Sequence, residues 1–209
     1  MDDATANDYA RILAQVATVY HCILEEHGPS ASGVGWADSE AQAFRFGVLT
    51  SRIDPELSLI VNDVGCGSGD LFPYLDSHFR LAGYVGLDVC EAMVVAANER
   101  IKDPRTAFIQ NAVPATPAHW SLASGTFNIS AGADEAAWRE LTGEVIRRMA
   151  GFSLRGFAFN MLRPHRRDAF FWGDEPEPWE AFCRDGLGGQ VERIEHPGGE
   201  EWSLIVRRV

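Results

Sequence analysis

The sequence predicts an α/β fold: a seven-stranded, mostly parallel sheet covered by helices, ending in an antiparallel hairpin and preceded by a helical cap. Three observations lead there. From Leu57 onward, short β-branched runs alternate with stretches of helical periodicity. A turn with three glycines joins the first such run to the first such helix. Near the end, two alternating runs are separated only by a turn at Pro197-Gly198-Gly199-Glu200, so they must pair antiparallel.

In order along the chain, residues 7–26 carry Ile12, Leu13, Val16, Val19, Tyr20, Ile23 and Leu24 at steps of three and four, one apolar helical face. Gly28-Pro29-Ser30 ends that helix, and a glycine-rich loop at 32–36 follows. A second helix is expected from Asp38 to about Ile53, bounded by Pro55. Leu59–Val64 reads as a buried parallel strand, then Gly65–Gly69 as a sharp turn and 70–79 as a helix. Residues 83–88 form a second strand, 91–101 a helix and 107–110 a third strand. Phe127-Asn128-Ile129-Ser130 is expected as the fourth strand, 134–149 as a helix, 156–162 as the fifth strand and 179–184 as a short helix. Gln190–Glu195 and 202–206 are the closing hairpin. One domain of 209 residues is expected, with 1–56 as the cap and 57–209 as the core.

Composition narrows the function classes. A hydrophobic fraction of 46% and a charged fraction of 23% are those of a globular protein. No apolar run reaches the roughly 20 residues of a membrane-spanning helix, and the acidic start Met1-Asp2-Asp3 lacks the basic region of a signal peptide. A cytoplasmic location is the expectation. The net charge of −12 disfavours nucleic acid, whose binding draws on basic groups. The basic run Arg163-Pro164-His165-Arg166-Arg167 is the one candidate for a polyanion and is otherwise a solvated loop. Cys22, Cys66, Cys90 and Cys183 have neither zinc nor disulfide spacing, so reduced thiols and no metal are expected.

The chemistry lies in Asp63-Val64-Gly65-Cys66-Gly67-Ser68-Gly69-Asp70, between a strand and a helix. Glycine lets backbone approach a nucleotide-like ligand closely, and a helix N-terminus offers free N–H groups. Asp88 ends the second strand nineteen residues after Gly69, where a carboxylate can accept from both hydroxyls of a ribose. A dinucleotide and S-adenosylmethionine both meet this description. Asp70 stands where a dinucleotide loop has its third glycine, and Asp63 and Asp70 would repel a pyrophosphate. Acidic groups suit a ligand carrying a sulfonium and an ammonium.

The run 62–70, followed by Gly86-Leu87-Asp88-Val89-Cys90-Glu91-Ala92-Met93, resembles the class I, Rossmann-like S-adenosylmethionine-dependent methyltransferases, in layout over 57–209. The 27–46 segment and Arg155–Asn160 resemble a bacterial methyltransferase subgroup without a settled acceptor, for which a small molecule is the expectation. The resemblance implies that Asp63, Gly65, Cys66 and Gly67 line the methionine part, that Asp88 takes the ribose, and that Val89 and Met93 flank the adenine. Ser130 and Ala131 would sit beside the reacting methyl at the end of the fourth strand. Where the family often has an aspartate for the adenine amino group, this chain has Asn111-Ala112, whose amide oxygen could replace it. The short stretch 112–126 implies a reduced helix before the fourth strand.

The implied activity is methyl transfer to an O, N or C nucleophile of a small molecule, such as a natural product or sugar derivative. The alternatives are an NAD-dependent oxidoreductase and a non-catalytic cofactor-binding module. His21 and His27 are the candidate general bases, against a reading as surface groups. Tyr20 and Trp36 are candidate lid or substrate-binding aromatics, and Asn160 is either a substrate contact or a satisfied core amide. Arg45 is a candidate partner for the cofactor carboxylate, or one half of a surface ion pair. Asp70 is expected to cap its helix. The two N-terminal helices are expected to fold over the carboxyl ends of the strands.

Overall fold

The computed structural model describes residues 3–28, 39–168 and 170–208. Its helices are α1 (Asp3–His27), α2 (Ser39–Thr50), α3 (Leu71–His78), α4 (Glu91–Arg100), α5 (Glu135–Phe152) and α6 (Pro176–Ala181). Its strands are β1 (Leu59–Val64), β2 (Leu81–Asp88), β3 (Thr106–Gln110), β4 (Ala118–Ala123), β5 (Ser153–Leu162), β6 (Gln190–Glu195) and β7 (Glu201–Arg207). They form one seven-stranded sheet in the order β3-β2-β1-β4-β5-β7-β6. The pairs from β3 across to β5 are parallel, while β7 runs antiparallel to both β5 and β6. The fold is therefore the expected Rossmann-like sheet closed by a hairpin.

One expected strand is misplaced. The fourth strand is Ala118–Ala123, and Phe127–Ser130 is a loop whose one β-bridge runs from Ile129 to Phe171 and whose Asn128 accepts from Leu162 N of β5 (3.1 Å). Ala118-His-Trp-Ser-Leu-Ala carries no β-branched residue, so local propensity hides it. It is a strand because β1 and β5 pair with it on both sides. Trp36 and the glycine-rich loop at 32–36 lie outside the described residues.

Two apolar layers sandwich the sheet. On one face, Phe46 and Leu49 of α2, Leu71 and Leu75 of α3 and Val94 of α4 pack on Val61, Tyr84 and Leu122. On the other, Tyr9, Ile12 and Val16 of α1 join Trp138, Leu141 and Ile146 of α5 over Val64, Leu87, Ala123 and Phe159. No helix links β3 to β4; residues 111–117 make that crossing, and Asn62 Nδ2 donates to Thr116 O (2.9 Å) beneath it. A sheet face left bare would forfeit roughly 1.5–3 kcal/mol per large apolar side chain. The apolar stripe of α1 fills this place, which is why a helix so early in sequence is part of the core.

The chain winds outward from β1 to β3 and then returns to β4 beside β1. This reversal leaves a crevice at the carboxyl ends of β1 and β4, the usual ligand position of an open α/β sheet. The basic run beyond β5 is not a free patch. Arg163 pairs with Glu175 and Glu195, Arg166 with Glu200, and Arg167 with Glu135 and Asp174.

Candidate active site

A cavity, open to solvent at its mouth, occupies that crevice. The turn after β1 forms its floor. Gly65, Gly67 and Gly69 all have positive φ (72°, 53° and 87°), so the chain doubles back in three left-handed steps that other residues resist. The N–H groups of Gly65 and Cys66 both donate to Leu87 O (2.7 and 2.9 Å), tying the turn to the end of β2. A Cβ on Gly65 would come within 2.6 Å of the Thr126 side chain, so the turn also fits tightly against the segment after β4.

Asp88 borders the cavity at the end of β2. Its carboxylate accepts from Gly67 N and Cys90 N, each at 2.9 Å. Burial raises its pKa, and the backbone donors Cys90, Gly67 and Val89 counter that rise. Asp63, only 2% exposed, accepts a short hydrogen bond from the Tyr84 hydroxyl. Burial pushes the Asp63 carboxyl up to about 7; the Tyr84 bond lowers it, and Asp88 and Asp70 raise it. Cys66 borders the same space, its thiol pushed up by burial and then by Asp63.

Asp70 also borders the cavity but does not cap α3: its backbone is helical and its side chain makes no capping bond. It pairs instead with Arg100 (2.8 Å) and accepts from Gln42 Nε2 (3.4 Å). Val89, Asn111 and Ala112 continue the wall beyond Asp88. Asn111 N donates to Asp88 O (3.0 Å), and its side-chain oxygen accepts from Val113 N (3.3 Å).

The roof comes from the two N-terminal helices: Leu13, Val16 and Tyr20 of α1, Gln42 and Phe46 of α2. Burial, and then the nearby Asp88 charge, raises the pKa of the Tyr20 phenol, which therefore stays protonated. The far wall is Ser124, Gly125 and Thr126 after β4, with Trp138 and Thr142 of α5. These residues escape a sequence reading that puts the fourth strand at 127–130; placing β4 at 118–123 makes 124–126 its carboxyl end.

Several expected site residues lie elsewhere. Ser130 and Ala131 do not border the cavity: Ser130 N donates to Phe170 O, and Ala131 (φ 51°) turns the chain toward α5. Arg45 pairs with Glu201 at 2.6 Å, far along the chain on β7, and is not at the cavity wall. Asn160 is fully buried, accepts from Gly125 N (2.6 Å) and donates to Glu201, a satisfied core amide behind the wall. Met93 is fully buried on α4 and does not reach the cavity. His21 and His27 are exposed beside Glu25 and Glu26; neither borders the cavity.

The residues present fit a cationic nucleoside ligand. Among the described residues, neither Asp63 nor Asp88 forms an ion pair with Lys or Arg. A buried carboxylate without a cation is costly, and a ligand cation relieves that cost. Three carboxylates around one turn would in turn repel a pyrophosphate, which removes the reason for a dinucleotide. Among the described residues no group of metal-ligating side chains gathers.

Comparison with known proteins agrees. A family model described as a methyltransferase domain matches residues 61–150. The chain is 30% identical over 154 residues to a protein of Mycobacterium tuberculosis (strain ATCC 25618 / H37Rv) named "Putative methyltransferase Rv1506c", covering 71% of this chain and 92% of that one. In fold it is similar to magnesium protoporphyrin IX methyltransferase from Synechocystis PCC 6803 with bound SAM (TM-score 0.58, 14% identity, 81% of this chain and 77% of the other). It is likewise similar to a SAM dependent methyltransferase from Aquifex aeolicus (TM-score 0.55, 19% identity, 91% and 98% covered).

Proposed function

The chain belongs to the class I S-adenosylmethionine-dependent methyltransferases, and from that premise we propose that its methyl acceptor is a small molecule enclosed beneath α1 and α2. The observation that carries the proposal is the roof. Leu13, Val16 and Tyr20 of α1 and Gln42 and Phe46 of α2 line the cavity, and in this reading an acceptor reaching the site fits among them. The neutralised arginines beyond β5 support the same reading, because they leave no basic track for a nucleic acid.

When bound, S-adenosylmethionine supplies a methyl group already activated by its sulfonium. The chain's residues then have to align and exclude water. In this reading Asp88 accepts the ribose hydroxyls, and Gly65, Cys66 and Gly67 admit the methionine part to the backbone. Asp63 faces its ammonium across the turn, while Val89, Asn111 and Ala112 flank the adenine. Tyr20, protonated and next to Asp88, covers the ribose side. Among the described residues no histidine or lysine lines the cavity.

Calorimetric titration with S-adenosylhomocysteine tests the cofactor half, and release of S-adenosylhomocysteine during incubation with small-molecule pools tests the acceptor half. Turnover on RNA or protein but on no small molecule would overturn the proposal.

A further inference from the structure

The cavity wall changes character from one side to the other. Toward β1 and β2 it is acidic, with Asp63, Asp70 and Asp88. Toward α1 and α5 it is mainly apolar, built from Leu13, Val16, Phe127, Leu141 and Val145, with the hydroxyl side chains Tyr20, Ser124, Thr126 and Thr142 among them.

Ser124 and Thr142 stand out. Thr142 is 1% exposed, and neither its Oγ1 nor the buried Ser124 Oγ has a hydrogen-bond partner. A threonine inside a helix ordinarily bonds the carbonyl one turn back, as Thr18 does to Ala14 O (2.9 Å) and Thr50 to Phe46 O (2.7 Å). Thr142 makes no such bond, although it sits inside α5 with that carbonyl one turn away. A buried hydroxyl without a partner costs about 1–3 kcal/mol. Two of them at the wall of one cavity match a ligand that brings the missing partner.

We propose that the α1–α5 side of the cavity holds the methyl acceptor, and that the acceptor is an uncharged, mainly apolar molecule placing a hydroxyl or carbonyl against Thr142 and Ser124. The inference rests on the reading of the cavity as a cofactor and acceptor site. Charge disfavours an anion, and the α1–α5 side itself carries no carboxylate to meet a cation. Among the described residues no Lys, Arg or His lines the cavity, so a carboxylate or phosphate there would be desolvated without a counter-ion from them, close to Asp63 and Asp88. A sugar carries more hydroxyls than this apolar wall can satisfy.

The test uses the full chain saturated with S-adenosylhomocysteine and three probes on one scaffold: 2-naphthol, 2-methylnaphthalene and 6-hydroxy-2-naphthoate. The naphthol is expected to bind about tenfold or more tighter than the naphthoate, because the latter buries an unpaired charge. Thr142→Val should weaken naphthol binding about fivefold and leave methylnaphthalene binding unchanged, since only one hydrogen bond is removed. The same variant should raise the Tm of the ligand-free protein, where a merely structural hydroxyl would lower it. Equal or tighter naphthoate binding overturns the proposal. So does an equal effect of Thr142→Val on both neutral probes, or the absence of probe binding to the saturated protein. Failure of S-adenosylhomocysteine itself to bind would instead sink the cofactor reading, and the two failures are told apart in the first titration.

Discussion

The side-chain oxygen of Asn160 accepts the backbone N–H of Gly125 at 2.6 Å, joining the middle of the sheet to the cavity wall. The amide nitrogen of Asn160 donates to Glu201, and Glu201 holds Arg45 of α2. Roof, hairpin and wall thus share one buried chain of polar contacts. Asn160→Ala leaves Gly125 N–H and a Glu201 oxygen without partners, so a loss of about 1–3 kcal/mol is expected in urea unfolding. Asn160→Asp should be worse at neutral pH, with two carboxylates face to face, and should recover toward the alanine variant as the pH falls.

Asp63 gives a pH prediction with a definite sign. Its folded-state pKa of about 7 lies above the ordinary 3.8 because burial disfavours the ionised form. The cost is absent below 3.8, grows as pH rises and is complete above about 7, so this group makes the ligand-free protein less stable across that window. A ligand ammonium beside it favours ionisation. Binding of S-adenosylhomocysteine below pH 7 should therefore release a proton. Calorimetry in two buffers of different ionisation enthalpy measures that release, and Asp63→Asn should abolish it.

Asp88→Ala is expected to weaken S-adenosylhomocysteine binding by roughly 1.5–3 kcal/mol, the value of hydrogen bonds to a charged acceptor. The variant also frees the N–H groups of Gly67 and Cys90, which Asp88 holds at 2.9 Å. Asp88→Asn keeps one acceptor and should fall between the two. Unchanged affinity in a folded Asp88→Ala protein would remove the ribose assignment.

His21→Ala and His27→Ala are expected to leave turnover within about twofold of the parent, since exposed surface changes are usually small. Their side chains lie outside the cavity and face Glu25 and Glu26. A bell-shaped rate profile that loses its acid limb in either variant would restore them as bases.

The glycine turn, Asp88 and the closing hairpin were legible because each is local: neighbours in sequence supply the whole signal. The misreadings share the opposite cause. Phe127 and Ile129 are as buried as strand residues, yet they belong to a loop pinned by Phe171. The β4 segment is a strand only through partners at Val61 and Gly156. Arg45 is claimed by Glu201, 156 residues away, a pairing no local pattern displays. The apolar stripe of α1 was visible, but nothing in it distinguishes residues that pack, such as Ile12, from residues that also wall a cavity, such as Val16.

The seat of α1 has a consequence for how the molecule is made. A ribosome delivers this helix more than a hundred residues before its packing partners on α5. Until α5 emerges, the part of its apolar stripe that meets Trp138, Leu141 and Ile146 has no partner to cover. Closure of the domain waits on a contact of long sequence separation, the slow kind to form. In a nascent or partly unfolded chain, Ile12 and Val16 are then the side chains most in need of a chaperone's shelter.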